Sequence, residues 1–178
     1  MKKNILIFGL ISGLIVSGLI SITAICYNKQ DFEGNMVLGF TVMILAFIFV
    51  FVGIKNYRDK FNDGNITFGK ALQIGLSISF IASTMYVITW LIAYYNFMPD
   101  FMEVMTSQNI EKIRLNKELT TAEMNEQIAG INSMKELYNS PIMVFLLTYM
   151  EIFPVGIVIT LVSALILKRK QNNNVDFA

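Results

Sequence analysis

Glu151 is the residue with the most chemistry to offer. It stands in Tyr149-Met150-Glu151-Ile152-Phe153-Pro154-Val155-Gly156, inside an apolar run from about residue 142 to 167. A carboxyl group at such depth in hydrocarbon is costly, and intramembrane acids usually face a bundle interior or a water-filled cavity. Pro154 has no N–H to give, so a backbone carbonyl one turn earlier, beside Glu151, is freed. Gly156 lets a neighbouring helix come close. Together these residues could bind a proton or a cation, or hold a substrate headgroup. The other reading is structural: a protonated Glu151 hydrogen-bonded across helices to Tyr86, Thr89 or Tyr149. None of the four apolar runs carries a Lys or Arg at that depth, so the chain offers a charged Glu151 no internal cation.

The second group with chemical content is Lys55, Tyr57, Arg58, Lys60 and Lys70, set against Asp59 and Asp63. It bridges two apolar runs and ends in the turn signal Asn62-Asp63-Gly64-Asn65, whose residues tolerate positive φ. Such a loop could bind anionic lipid headgroups. Membrane orientation accounts for the same charges, because short Lys/Arg-rich loops stay cytoplasmic.

Other chemistries are excluded or poorly supplied. The chain has no histidine, which removes His-based triads and the common zinc sites. Cys26 is the single cysteine, so no intramolecular disulfide can form. Met98, Met102, Met105, Met124 and Met134 carry thioethers that suit soft metals. They fall at core spacing with no His or Cys beside them, which marks adaptable apolar faces instead. No acid pair, nucleophile–base pair or Gly-rich phosphate loop appears, so neither an enzyme nor a cofactor is expected. No nucleic-acid partner is expected either.

The elements that position these residues follow from hydropathy. Of 178 residues, 54% are hydrophobic and 15% charged, and mean hydropathy is +0.56. Soluble domains carry roughly 25% charged residues. The pattern predicts an all-α fold: a four-transmembrane-helix bundle with an extracytoplasmic amphipathic helical hairpin between helices 3 and 4. The spans run over about 5–26, 36–54, 68–95 and 142–167, and the hairpin over about 99–138, all in one membrane domain, 1–178. The first run is too long for a signal-peptide core and lacks a small-residue cleavage site.

Gly9, Gly13, Ser17 and Ser21 repeat every four residues, as do Ala71, Gly75, Ser79 and Ser83, giving two small-residue ridges that suggest close crossing of helices 1 and 3. Tyr86, Trp90, Tyr94 and Tyr95 crowd the end of the third run, where an interfacial aromatic belt is expected. Thr67 is a plausible N-cap, and Thr120-Thr121-Ala122-Glu123 reads as a capping box. It opens a helix with Met124, Ile128, Ile131 and Tyr138 on one face.

Charge then sets orientation. With both termini and the 55–70 bridge on one side, that side holds nine cations against three acids, and the other five against nine. The excess predicts cytoplasmic termini and an outer hairpin.

The segments Gly53-Ile54-Lys55-Asn56-Tyr57-Arg58-Asp59, Ile66-Thr67-Phe68-Gly69-Lys70-Ala71, Pro99-Asp100-Phe101 and Glu151-Ile152-Phe153-Pro154-Val155-Gly156 occur in an order that resembles a family of small bacterial four-helix membrane proteins classed as a domain of unknown function. The resemblance covers nearly the whole chain. It implies an integral protein of the bacterial inner membrane and carries over no catalytic residue.

Two roles fit these features. One is a non-enzymatic scaffold or accessory component whose partners are the lipid bilayer and either a membrane protein or further copies of itself. The other is a small proton- or cation-coupled transporter or conduit centred on Glu151, which four helices could supply only as a homo-oligomer. A reporter fused after Ala178 or within 62–65 should read cytoplasm, and one near Thr120 should read exterior. A cytoplasmic signal at Thr120 would overturn the four-span topology.

Overall fold

Six helices make up the computed structural model, which describes residues 1–25, 27 and 36–169, with 36–38 described by their backbone alone. Cys26, the 28–35 connection with Lys29, Asp31 and Glu33, and the tail from Lys170 onward lie outside the described residues. The helices are α1 (Lys2–Ile25), α2 (Met36–Phe61), α3 (Phe68–Asn96), α4 (Phe101–Leu115), α5 (Thr121–Leu137) and α6 (Pro141–Leu167). Four of them, α1, α2, α3 and α6, are long and apolar enough to cross a membrane. No more than 33% of any of their apolar windows is buried inside the bundle. The remaining apolar surface faces outward, as at Leu14, Ile142 and Met150, and is far more than a water-soluble surface tolerates in one band.

The helix ends follow local chemistry. Thr67 caps α3 by accepting a hydrogen bond from the Lys70 backbone N–H at 3.3 Å. At α5 the Thr120 hydroxyl accepts from the Glu123 N–H, while the Thr120 N–H donates back to Glu123 Oε2 at 2.8 Å, completing the capping box. The Thr120 hydroxyl also donates to Glu123 Oε2, and these bonds hold the Glu123 carboxyl below the usual carboxylate range. Because the folded value is the lower one, this support for α5 is present at neutral pH and fades as pH falls through it. Pro141 opens α6 in the first turn, where its missing N–H costs nothing.

One boundary differs from the sequence expectation. The second span was expected to end near residue 54, with Lys55–Lys60 in a loop. Instead α2 continues to Phe61, so Lys55, Tyr57, Arg58 and Lys60 project from its last two turns. Residues 54–61 contain no helix breaker, and Arg58 and Lys60 in the last turn complement the negative end of the helix dipole. The chain turns only at Asp63 (φ 49°) and Gly64 (φ 74°), where the left-handed region is required.

Helix α3 is the central element, packed against α1, α2 and α6. The expected close crossing of α1 and α3 is present: a Cβ on Gly9 would lie 2.9 Å from Ile81 Cβ, and one on Gly13 would meet the Met85 side chain. The two ridges do not face each other, however. The α1 ridge receives large side chains of α3, whereas the α3 ridge turns to α6. A Cβ on Gly75 would run into Thr160 of α6, and one on Gly156 would sit 2.8 Å from Ser79 Cβ. In this seam Ser79 Oγ donates to the Gly156 carbonyl at 3.3 Å and lies 3.1 Å from Thr160 Oγ1. Ser12 of α1 likewise donates to the Ala46 carbonyl of α2 at 2.8 Å.

At one end of the bundle the basic residues gather. Asn4 Nδ2 donates to Asn56 Oδ1 at 2.9 Å, joining the start of α1 to the last turns of α2. Ile66 and Arg169 exchange backbone hydrogen bonds of 3.2 and 2.9 Å, tying the turn before α3 to the residue after α6. Lys2, Lys3, Lys55, Arg58, Lys60, Lys70, Lys168 and Arg169 therefore belong to the same end. Helices α4 and α5, which pack against each other, link α3 to α6 at the opposite end.

Gly156→Ala should lower stability by about 1–3 kcal/mol, because its new methyl meets a Cβ fixed to the α3 backbone. Gly18→Ala, where nothing lies within 4 Å, should be neutral or slightly stabilising. Thermal unfolding in one detergent compares them, and equal Tm values would refute the tight α3–α6 seam.

Candidate functional site

Away from the basic end, the space between α2, α3 and α6 opens into a cavity of about 570 Å³ bordered also by α4 and α5. Phe40 of α2, Tyr86 and Trp90 of α3, and Tyr138 and Glu151 supply one part of its wall. Phe101, Met102, Met105, Thr106 and Asn109 of α4, with Ile131 and Met134 of α5, supply the rest. The helix positions explain the grouping. Glu151 lies five residues before Gly156 on α6, and Tyr86 seven after Ser79 on α3, so both sit beyond the tight seam toward α4 and α5.

Glu151 is exposed by surface area although it lies within the wall, so its carboxyl group borders open space in place of close packing. Among the described residues it makes no hydrogen bond to Tyr86, Thr89 or Tyr149, the partners that a structural role would use. Tyr149 is engaged elsewhere, its hydroxyl hydrogen-bonded to that of Thr84 on α3. Its ring also packs against Phe80, Phe145 and Phe153.

Of the residues singled out in sequence, the cavity brings together Glu151 and Tyr86. Gly156 lies deeper, in the α3–α6 seam, and is a packing residue. Thr89 borders a separate crevice shared with Ser21, Ala24 and Ile25 of α1, so it does not join Glu151. Pro154 lies inside α6, three residues past Glu151. The basic group, with Lys55, Tyr57, Arg58, Lys60 and Lys70, occupies the other end of the bundle. There Arg58 Nε donates to Asp59 Oδ1 at 2.6 Å, and Tyr57 stacks on Phe61 with centroids 6.0 Å apart.

The rings expected in an interfacial belt mostly meet other helices or line the cavity. Tyr94 is buried, while Tyr86 and Trp90 line the cavity, and of these four rings Tyr95 is the exposed one. Trp90 meets Phe101 edge-to-face at 5.1 Å, and Tyr94 meets Tyr138 at 5.9 Å, which fixes α4 and the α5–α6 junction against α3. Burial pushes the Tyr138 hydroxyl above its usual range.

Sequence reasoning missed Phe40, Thr106 and Asn109. Nothing local in the sequence marks them; in the structure Thr106 stands out, being only 7% exposed with a hydroxyl oxygen that has no hydrogen-bond partner among the described residues. A second, mostly apolar crevice of about 160 Å³ between α1, α2 and α3 also borders Tyr86 and Trp90, with Thr23 beside them and no acid in its lining. The larger cavity is the better candidate, because it combines apolar walls with a few convergent polar groups.

Tyr149→Phe should cost about 0.5–1.5 kcal/mol through loss of the hydrogen bond it shares with Thr84. Thr84→Val, which also gives up its bond to the Phe80 carbonyl, should cost at least as much, and the double variant no more than Thr84→Val alone. Additive losses in a thermal-unfolding cycle would show that Tyr149 has another partner.

Comparison with known proteins adds the family and no activity. The chain matches no functionally curated protein and no solved structure. The family of proteins of unknown function DUF4199 matches it over residues 6–169, which takes in α1 beyond its first turn, α2, α3 and α6, the α4–α5 segment and the Glu151 cavity. The match spans most of the 178 residues, and the chain belongs to that family.

Proposed function

We propose that this chain is a non-enzymatic, multi-pass protein of the bacterial cytoplasmic membrane whose working site is the cavity around Glu151. In this reading the basic end faces the cytoplasm, since clustered cations beside span ends are retained there. Helices α4 and α5 then form an extracytoplasmic hairpin over the mouth of the bundle. One observation carries the functional part: an acid inside an apolar span borders a 570 Å³ space and makes no hydrogen bond to protein groups among the described residues. An acid retained only for packing would be expected to have its lone pairs satisfied by protein groups.

Between a scaffold and a small proton- or cation-coupled conduit, this geometry supports the conduit. A scaffold uses its outer faces and has no need of an acid-lined space. Four helices leave little room for a complete path, so the conduit reading takes the working unit to be a homo-oligomer in the lipid bilayer. The basic end needs no separate binding role, because orientation already requires its charges.

Glu151→Gln keeps the shape of the acid and removes its capacity to carry a proton or pair with a cation. It should leave thermal stability within about 0.5 kcal/mol of the parent, as for a side chain outside the packed core. It should nevertheless fail to complement a deletion strain. Glu151→Leu should fail as well. Full complementation by the Gln variant would overturn the proposal and return Glu151 to a structural role.

A further inference from the structure

Given that the cavity is the working site, we infer that its ligand is an organic cation: an amine or quaternary ammonium attached to an apolar body. Charge comes first. Among the described residues lining the space, Glu151 is the only carboxylate and there is no Lys or Arg. An anionic ligand would meet one carboxylate at close range and no compensating cation, a repulsion that Coulomb's law makes unfavourable. A cation entering the same space gains Glu151 as its counter-ion.

The rings select the kind of cation. Phe40, Tyr86, Trp90, Phe101 and Tyr138 all border the space. Aromatic faces carry negative quadrupole potential and attract ammonium groups, most strongly where water is excluded. A bare divalent ion would instead demand six or more oxygen ligands at short range. The lining offers one carboxylate, the Asn109 amide, the Thr106 hydroxyl and two phenols, spread over three helices and the α5–α6 junction and separated by apolar side chains. That set suits a diffuse organic charge far better than a compact inorganic one.

The remainder of the ligand is apolar. Met102, Met105 and Met134 supply flexible thioether surface that adapts to irregular shapes. The volume, about 570 Å³, falls within the roughly 300–1,000 Å³ typical of small-molecule sites. A neutral hydrocarbon would fill such a space but leave the carboxyl group without a counterpart. The hydroxyl of Thr106, without a partner among the described residues, adds a hydrogen-bonding group at the α4 side.

The test uses two ions of the same shape and opposite charge, tetraphenylphosphonium and tetraphenylborate. Each is titrated into the full-length detergent-purified protein. Trp90 is the single tryptophan of the chain and lines both this cavity and the smaller crevice, so its fluorescence reports binding and the Glu151 variants assign it to the cavity. Saturable binding of the phosphonium is expected, with the borate at least tenfold weaker. Glu151→Gln should weaken phosphonium binding about tenfold or more, and Glu151→Asp, which keeps the charge, should bind more tightly than Gln. Equal binding of both ions, or phosphonium binding unchanged in the Gln variant, would overturn the cation assignment. So would absence of phosphonium binding to a parent protein that is monodisperse and thermally stable. Failure here combined with loss of complementation by Glu151→Gln would leave the working site in place with a different ligand. Full complementation by that variant would instead bring down the working-site reading itself.

Discussion

The contact on which the rest of this bundle depends is the seam between α3 and α6. Gly75 and Gly156 leave no room for a Cβ, and Ser79 and Thr160 fill the space between with hydroxyl groups. Small residues matter here because lipid tails are as apolar as leucine, so burying hydrocarbon does little to bring membrane helices together. Close backbone approach and hydrogen bonds such as Ser79 to the Gly156 carbonyl take over that role. Once α3 and α6 are fixed in this register, α1 packs Gly9 and Gly13 over Ile81 and Met85, and α2 places Phe47 against Gly156.

The same register decides what stands free. Fixing Gly156 against Ser79 places Tyr149 beside Thr84, where it is tied down, and puts Glu151 on the wall of the space that α4 and α5 border. The two polar residues lie two positions apart on α6, yet one is anchored and the other left available. Aromatic contacts of Trp90 with Phe101 and of Tyr94 with Tyr138 then hold the α4–α5 segment at that end. A rigid frame and an acid at its mouth are what the proposed binding site requires.

Much of this was legible in the sequence because membrane helices obey strong local rules. Uninterrupted apolar length gave the four long helices, and Thr67, Asn62–Asn65 and the Thr120/Glu123 pair marked ends that the structure reproduces. The end of α2 was misplaced because clustered cations resemble a loop, although nothing among residues 54–61 stops a helix. Ridges could be found by spacing, but which helix each ridge meets depends on rotation, and so the α3 ridge was assigned to α1 when it serves α6. Glu151 was conspicuous as a carboxyl group inside an apolar run, where a charge is costly. Thr106, Asn109 and Phe40 carry no such local signal; they reach the cavity only because α4 and α2 are placed there by tertiary packing. Thr89, one turn from Tyr86, was expected near the acid and lies instead in a crevice shared with α1.

The central claim is that Glu151 faces a water-accessible cavity while its neighbour Met150, 72% exposed, faces lipid. Single cysteines at each position, in a Cys26→Ser background, separate these environments. Membrane-reconstituted Glu151→Cys and Met150→Cys would be exposed to a small, charged, membrane-impermeant thiol reagent, and labelling rates compared by mass spectrometry. Ready labelling at position 151 with little at 150 is the expected result, because thiolate formation requires water. Equal inertness at both positions would place Glu151 in lipid or in dry packing and contradict the account.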